Sequence, residues 1–109
     1  MQKEIWMADL NPVFGSEQAG IRPVIIISGP SMNAYYNVVI ICPLTSKVKS
    51  LKGCPAIKPD KLNNLKSESQ AIAFQIRTLA KARLSKKIGI ISNDDLDNIK
   101  RGLEIYLSY

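Results

Sequence analysis

The sequence contains no histidine, which removes the side chain that enzymes use most often as a general acid or base near neutral pH. It has only two cysteines, Cys42 and Cys54, at a spacing that matches no common metal site, so we expect two reduced thiols. Its apolar runs are about five residues long, far short of the roughly 20 that span a bilayer as a helix. Charges at Lys3, Glu4 and Asp9 interrupt any signal-peptide core, so a cytoplasmic protein without a membrane anchor is expected.

The chain also lacks the features of a disordered or multidomain protein. Of its 109 residues, 46% are hydrophobic and only 22% are charged, and no low-complexity tract, repeat or linker interrupts them. A chain of this length and composition buries enough surface to fold as one unit. We predict a single domain over residues 1–109.

Acidic side chains are scarce in the middle of the chain. Residues 45–87 carry eleven of the fifteen basic residues and only Asp60 and Glu68 as acids, a balance of +9, whereas the two flanks sum to −3. Clustered Lys and Arg bind a polyanion by displacing its counterions. The segment therefore indicates a nucleic-acid partner, with a solvated, solubilising surface as the alternative.

Short β-branched runs predict strands through most of the chain. The predicted strands cover residues 4–10, 23–28, the run "NVVIICPLTS" as far as Pro43, and more weakly 53–58 and 69–76. We predict only strands and loops in this part of the chain.

The end of the chain changes to a helical period. Ser92 is the predicted N-cap, with Asp95 three residues on, and Gly102 indicates a close packing contact inside the helix. Several short strands and one terminal helix predict a mainly β fold with some α, in which the helix caps a bent sheet or partly closed barrel. The apolar stripe of the helix consists of Leu96, Ile99, Leu103, Tyr106 and Leu107.

Two polar residues lie where a loop meets an apolar strand. Arg22 precedes "PVIII", and Thr45 follows "VVIICPL". If these strands pair antiparallel, both side chains reach one edge of the sheet, where a guanidinium can hold a phosphate with two donors and a hydroxyl can bond the same group. A purely structural role is the alternative for both.

Three segments carry a more specific pattern. In order and spacing, "EIWMADLNPVFGSEQAGIRPVIIIS", "PLTS" and "FQIRTLAKARLSKKIG" closely resemble the MazF/PemK family of type II toxin endoribonucleases. The resemblance implies a small SH3-like (CcdB/MazF-like) β-barrel with helices and a homodimer. It also implies sequence-specific cleavage of single-stranded RNA without a metal or other cofactor, and a cognate antitoxin that covers the RNA groove.

The resemblance also assigns roles to individual residues. It makes Arg22 and Thr45 catalytic, in a reaction where the 2'-hydroxyl of the RNA attacks and leaves a 2',3'-cyclic phosphate and a 5'-hydroxyl. A guanidinium is a poor acid or base, so Arg22 would stabilise the phosphorane while Thr45 orients the phosphate or the attacking hydroxyl. The RNA-binding candidates are Glu17, Gln18, Ser46, Lys47, Lys49 and Lys52.

The group that accepts the 2'-proton stays open at this point. Glu17 is a candidate on chemistry alone. Some PemK-like proteins have an acidic residue immediately before "Q-x-R-T", but Phe74 occupies that position here, and we predict a core residue there, with base stacking as the alternative. Trp6 is also predicted to be core. We expect the polar residues of "QIRT" to hold neighbouring backbone: Gln75, Arg77 and Thr78.

Two other functions compete with RNA cleavage. A barrel of this kind could bind RNA on its basic face without cutting it, or it could bind gyrase as CcdB does, since a fold does not fix a function. A gyrase-binding toxin has no need of Arg22 and Thr45 at converging strand ends.

Overall fold

A computed structural model describes residues 1–108, which fold mainly into β-strands. The helices are α1, Pro30–Tyr35, and α2, Asn93–Leu107. The strands in chain order are β1, Glu4–Asp9; β2, Ile21–Ile26; β3, Val38–Thr45; β4, Ala56–Ile57; β5, Ser69–Ala71; β6, Arg77–Ala80; and β7, Leu84–Ile90.

The strands form one curled, antiparallel sheet in the order β4-β5-β3-β2-β1-β7, and β6 pairs with another part of β3. Each pair of neighbouring strands runs antiparallel. This half-barrel with a C-terminal helix confirms the predicted mainly β fold. No helix within residues 1–108 has both the length and the apolar character needed to cross a membrane.

The sheet bends sharply where β3 changes partners. Leu44 pairs with Ala71 on β5, and Ile41 pairs with Arg77 on β6. The two β3 residues are three positions apart in the sequence, but their partners are six positions apart. A 3-10 turn at Ala73–Gln75 takes up the extra residues. The turn lies opposite the part of β3 that contains Pro43, which has no N–H to donate to a ladder.

Two apolar clusters pack on the two faces of β2. Ile25 belongs to the first apolar cluster, which includes Ile99 of α2. Val24 and Ile26 belong to the second apolar cluster, which includes Leu10. Successive side chains of a strand point to opposite faces, and all three β2 residues are fully buried. A strand that is apolar throughout is typical of burial on both faces, and β2 is buried on both faces over residues 24–26.

Helix α2 begins as predicted. The Ser92 hydroxyl accepts a hydrogen bond from the Asp95 N–H at 3.1 Å, and Leu96 and Ile99 are buried. The predicted apolar stripe is wrong for the last turn, where Tyr106 is 39% and Leu107 73% exposed. That turn packs on an exposed ring instead of the core: the aromatic rings of Phe74 and Tyr106 meet edge to face, with centroids 5.2 Å apart.

The close contact predicted at Gly102 is confirmed. A Cβ there would lie 2.8 Å from the carbonyl carbon of Gly53 and closer still to its oxygen. The same loop is held a second time, because the Tyr106 hydroxyl donates a hydrogen bond to the Lys52 carbonyl. A hydrogen bond with Cys54 raises the pKa of Tyr106. Helix α2 therefore fixes the chain that follows β3.

Several sequence predictions were wrong in detail. The third strand does not stop at Pro43 but continues to Thr45, because the Pro43 carbonyl can still accept a hydrogen bond, as it does from the Ile72 N–H just after β5 at 2.9 Å. The prediction of only strands and loops before the terminal helix is wrong at α1, where Pro30 occupies the first turn and its missing N–H is not needed. The predicted strand 69–76 breaks after Ala71, and β7 was not predicted.

Both cysteines are free and buried, in agreement with the prediction of reduced thiols. Burial raises the pKa of Cys42, which disfavours its thiolate form. Trp6 is half-buried against the second apolar cluster, and its indole N–H donates to Glu4 Oε1 at 3.0 Å. Trp6 therefore packs at the margin of the core and not inside it.

Candidate nucleic-acid interface

The ends of β2 and β3 meet at one edge of the sheet. Val24 pairs with Pro43 in the antiparallel register, so the start of β2 lies beside the end of β3. Arg22 is the second residue of β2 and Thr45 the last of β3. Both line a cavity of about 790 Å³, which we name the Arg22–Thr45 cavity.

Arg22 is half-buried and held through one nitrogen. Its Nε donates to the Ala19 carbonyl at 2.6 Å, which fixes the plane of the guanidinium. The two terminal nitrogens have no hydrogen-bond acceptor within residues 1–108. A guanidinium oriented in this way can present two parallel donors to a phosphate.

Thr45 keeps its hydroxyl proton available. Its Oγ1 accepts a hydrogen bond from the Lys47 N–H at 3.2 Å, so the hydroxyl proton can be donated to a ligand. Ser46 is exposed and lines the same cavity. Lys47 is also exposed, just beyond the strand end.

Gln70 fixes the lysine-containing loop after Thr45, a role that the sequence did not suggest. It pairs with Thr45 in the β3–β5 register and is only 2% exposed. Its Oε1 accepts from the Lys49 N–H at 2.9 Å, and its Nε2 donates to the Lys49 and Cys54 carbonyls at 2.8 and 3.0 Å. One buried amide thus satisfies backbone groups at two points of the loop. Lys49 and Lys52 line a separate cavity of about 420 Å³.

Glu17 and Gln18 line a third cavity, of about 330 Å³, which does not include Arg22 or Thr45. The Glu17 carboxylate accepts from the Phe14 N–H at 2.6 Å. Gln75 holds this loop as predicted: its Oε1 accepts from the Gln18 N–H at 2.7 Å and its Nε2 donates to the Ser16 carbonyl at 2.9 Å. Glu17 therefore lines a different cavity from the one that Arg22 and Thr45 share.

Phe74 is not a core residue. The 3-10 turn buries Ala73 and leaves the Phe74 ring 48% exposed, where it lines the same cavity as Glu17. Strand periodicity suggested burial, but a 3-10 turn has three residues per turn and changes which side chains face inward. Arg77 holds backbone as predicted, since its Nη1 donates to the Leu10 carbonyl at 3.2 Å.

The Arg22–Thr45 cavity is cationic. No acidic side chain is among its lining residues within the part of the chain that the structure describes, whereas Lys66 and Lys86 line it together with Arg22. Both lysines lay in the predicted basic segment, but no motif distinguished them from their neighbours. An anionic ligand therefore meets three positive charges in one cavity.

Comparisons with known proteins agree with this geometry. Residues 1–107 match the family described as PemK-like, MazF-like toxin of type II toxin-antitoxin system. An endoribonuclease MazF from Staphylococcus saprophyticus is 35% identical over 105 residues, which is 95% of this chain and 88% of that protein.

Solved structures share the fold. MazF from Deinococcus radiodurans superposes with a TM-score of 0.84 at 22% identity, over 97% of this chain and 94% of the other. A mycobacterial endoribonuclease, solved in complex with its cognate antitoxin, superposes with a TM-score of 0.80 at 21% identity, over 98% and 93% of the two chains. The match to the family model over nearly the whole chain, together with the 35% identical relative, shows that this chain belongs to the PemK-like, MazF-like family of type II toxins.

Proposed function

We propose that this protein is the toxin of a type II toxin-antitoxin system and that it cleaves single-stranded RNA at specific sequences without a metal ion. The observation that carries this proposal is the free guanidinium edge of Arg22 beside the Thr45 hydroxyl in one cationic cavity. Family membership and the 35% identical endoribonuclease support it. The whole chain, residues 1–109, acts as one domain.

The reaction uses a nucleophile that the RNA supplies. The 2'-oxygen forms a bond to the adjacent phosphorus, the bond from phosphorus to the 5'-oxygen breaks, and the products carry a 2',3'-cyclic phosphate and a 5'-hydroxyl. The 2'-proton leaves to a base, and the departing 5'-oxygen gains a proton. Arg22 stabilises the charge that develops on the phosphorane oxygens, and Thr45 holds the phosphate in line.

The proton acceptor is not Glu17 in this proposal, although its carboxylate was a candidate on chemistry alone. Glu17 lines the cavity around Phe74 and accepts a backbone hydrogen bond there. A general base has to lie within hydrogen-bond reach of the proton that it removes, directly or through one water. No carboxylate lines the Arg22–Thr45 cavity among residues 1–108, so in this proposal solvent accepts the proton.

The remaining site residues bind the RNA on either side of the reacting phosphate. Ser46 forms a hydrogen bond with the RNA in the Arg22–Thr45 cavity. The exposed lysines of the following loop neutralise backbone phosphates of the RNA: Lys47, Lys49 and Lys52. Glu17 and Gln18 offer polar groups to base edges in the cavity where the Phe74 ring is exposed for stacking. Phosphate contacts supply affinity and base contacts supply sequence preference.

A cleavage assay in EDTA tests the proposal. We expect purified protein to cut a long single-stranded RNA at discrete sites in EDTA, to leave cyclic-phosphate ends, and to spare DNA of the same sequence, which lacks the 2'-hydroxyl. Mapping the product ends also gives the recognition sequence. Intact RNA in the presence of folded protein would contradict the proposal. RNA binding without cleavage would then favour the non-cleaving barrel, and inhibition of gyrase would favour the CcdB-like toxin.

The proposed partners are a second copy of the chain and a cognate antitoxin, and the proposed location is the cytoplasm, where mRNA is available. The last turn of α2 supports the homodimer, because Ile105 and Leu107 leave apolar side chains 46% and 73% exposed. We expect sedimentation equilibrium to give twice the chain mass at micromolar concentration and Leu107→Asp to shift it toward the monomer. A purely monomeric wild type would contradict the dimer.

A further inference from the structure

Two lysines lie in the Arg22–Thr45 cavity without an acidic partner. Lys66 comes from the loop before β5 and Lys86 from β7. Both are exposed, and neither forms an ion pair within residues 1–108. Their charges are therefore available to a ligand that fills the cavity.

The sheet places Lys86 near the proposed reacting phosphate. Met7 of β1 pairs with Pro23 on one side and with Lys86 on the other. Adjacent strands lie about 4.8 Å apart, so the Lys86 backbone is roughly 10 Å from the start of β2, next to Arg22. A long, flexible lysine side chain spans part of that distance, within a few nucleotides of the cleaved bond.

The loop that carries Lys66 is hydrogen-bonded internally and to β7, the strand of Lys86. The fully buried Asn63 accepts from the Asp60 and Leu65 N–H groups, each at 3.0 Å. The next residue ties the loop to β7, because Asn64 Nδ2 donates to the Ile88 carbonyl at 2.9 Å. Loop and strand thus form one wall of the cavity, and both free lysines belong to it.

Only one of the two adjacent lysines on β7, Lys86, lines the cavity. Lys87 lies outside the cavity and binds the Glu4 carboxylate at 3.0 Å. Burial alone would raise the pKa of Glu4, but hydrogen bonds from Trp6, Lys87 and the N-terminus hold that pKa below its ordinary value. Lys87 is thus already neutralised, whereas Lys86, one residue earlier, is not.

We infer that Lys66 and Lys86 bind backbone phosphates of the substrate on one side of the cleaved bond, so that this wall is an extension of the catalytic cavity along the RNA. The inference rests on the proposed function. The volume of about 790 Å³ falls within the range of roughly 300–1,000 Å³ that accommodates a small organic ligand, which is sufficient for nucleotide-sized groups beyond the reacting phosphate. Point charges of this kind add affinity with little base discrimination.

The test compares two double variants in the full-length protein. Lys66→Gln with Lys86→Gln removes the cavity charges, and Lys61→Gln with Lys87→Gln removes the same number from the same loop and strand, outside the cavity. For the cavity variant we expect KM to rise about tenfold with kcat within about twofold. We also expect the slope of log affinity against log salt to fall by about 1.4, because each phosphate contact to a single strand contributes about 0.7. The control variant should move neither quantity by that much.

Substrate length supplies a second readout. If the lysines bind phosphates on one side of the cut, an RNA shortened on that side loses the difference between wild type and cavity variant, and one shortened on the other side keeps it. Equal KM changes in both double variants, or a difference that persists with both shortened RNAs, would overturn the inference. Thermal unfolding of each variant verifies the fold.

The two proposals fail in different ways. A wild type that cleaves RNA while the cavity variant keeps its KM and salt slope contradicts this inference alone. A wild type that neither cleaves nor binds RNA, including an RNA with a 2'-deoxy substitution at the cut site, overturns both.

Discussion

Replacing Arg22 with alanine is expected to lower kcat for RNA cleavage by roughly 10²- to 10³-fold, the usual loss when one preorganised stabiliser of a transition-state oxyanion is removed. The structure gives the physical reason: the Ala19 carbonyl fixes Nε, and Arg22 lines a cavity to which residues 1–108 contribute no neutralising carboxylate. Because Arg22 is only half-buried at a strand end, the fold should survive the change.

Two further variants make the Arg22 result specific. Arg22→Lys keeps the charge but loses the planar pair of donors, so its rate should lie between those of the wild type and the alanine variant. Arg101→Ala removes an exposed arginine from α2 and should leave kcat unchanged. Single-turnover rates at saturating RNA measure the effect, with circular dichroism as the test of folding. An Arg22→Ala protein that cleaves at the full rate would exclude the proposed role.

The second large effect is on stability. Gly102→Ala is expected to lower the free energy of unfolding by about 1–3 kcal/mol, the usual cost of forcing extra volume into a packed contact. Helix propensity alone predicts the opposite sign, because alanine in a helix is better than glycine by about 1 kcal/mol. The clash prevails because the new Cβ meets the backbone of Gly53, which cannot rotate away as a side chain would.

The measurement is urea denaturation of the wild type and variants of the same helix. Lys100→Ala, at an exposed position two residues earlier, should change the free energy of unfolding by less than about 0.5 kcal/mol. Ile99→Ala removes a fully buried side chain from the first cluster and should cost about 2–5 kcal/mol. A Gly102→Ala protein as stable as the wild type, or more stable, would mean that the helix and the loop are not in close contact.

We expect Gly102→Ala to weaken RNA binding as well as stability. The Gly53 loop leads back to Thr45 through the backbone groups that Gln70 holds. If Gly102→Ala displaces this loop, KM for RNA should rise even under conditions where the protein is fully folded. An unchanged KM would confine the effect to stability.

The shared position of Arg22 and Thr45 was predictable because it depends on two local boundaries and one strand pairing, whereas their catalytic role was implied only by the family resemblance. Each residue marks the point where a polar loop meets a β-branched run, and neighbouring β-strands commonly pair antiparallel. The β2–β3 register then brings Arg22 and Thr45 to one edge. The helix N-cap at Ser92 was predictable for a similar reason, since a cap depends on residues only three positions apart.

Other features depended on contacts that local patterns do not encode. Strand β7 joins β1 across most of the chain, and only this pairing places Lys86 beside Met7. Its own sequence, "LSKKIGI", is polar enough to resemble a loop, because β7 is an edge strand with exposed side chains. The Gln70 amide is likewise buried among three backbone groups, a placement that no local pattern indicates.

By itself, the sequence determined the mainly β architecture with a terminal helix, the buried central strands and the position of the Arg22 and Thr45 pair, because periodicity, capping and strand boundaries are properties of neighbouring residues. The tertiary structure decided which side chains share a cavity. It placed Glu17 and Arg22 in different cavities, exposed Phe74 at the 3-10 turn and brought Lys66 and Lys86 to one cavity. These outcomes depend on long-range strand pairing, in which a shift of register redirects every side chain to another face.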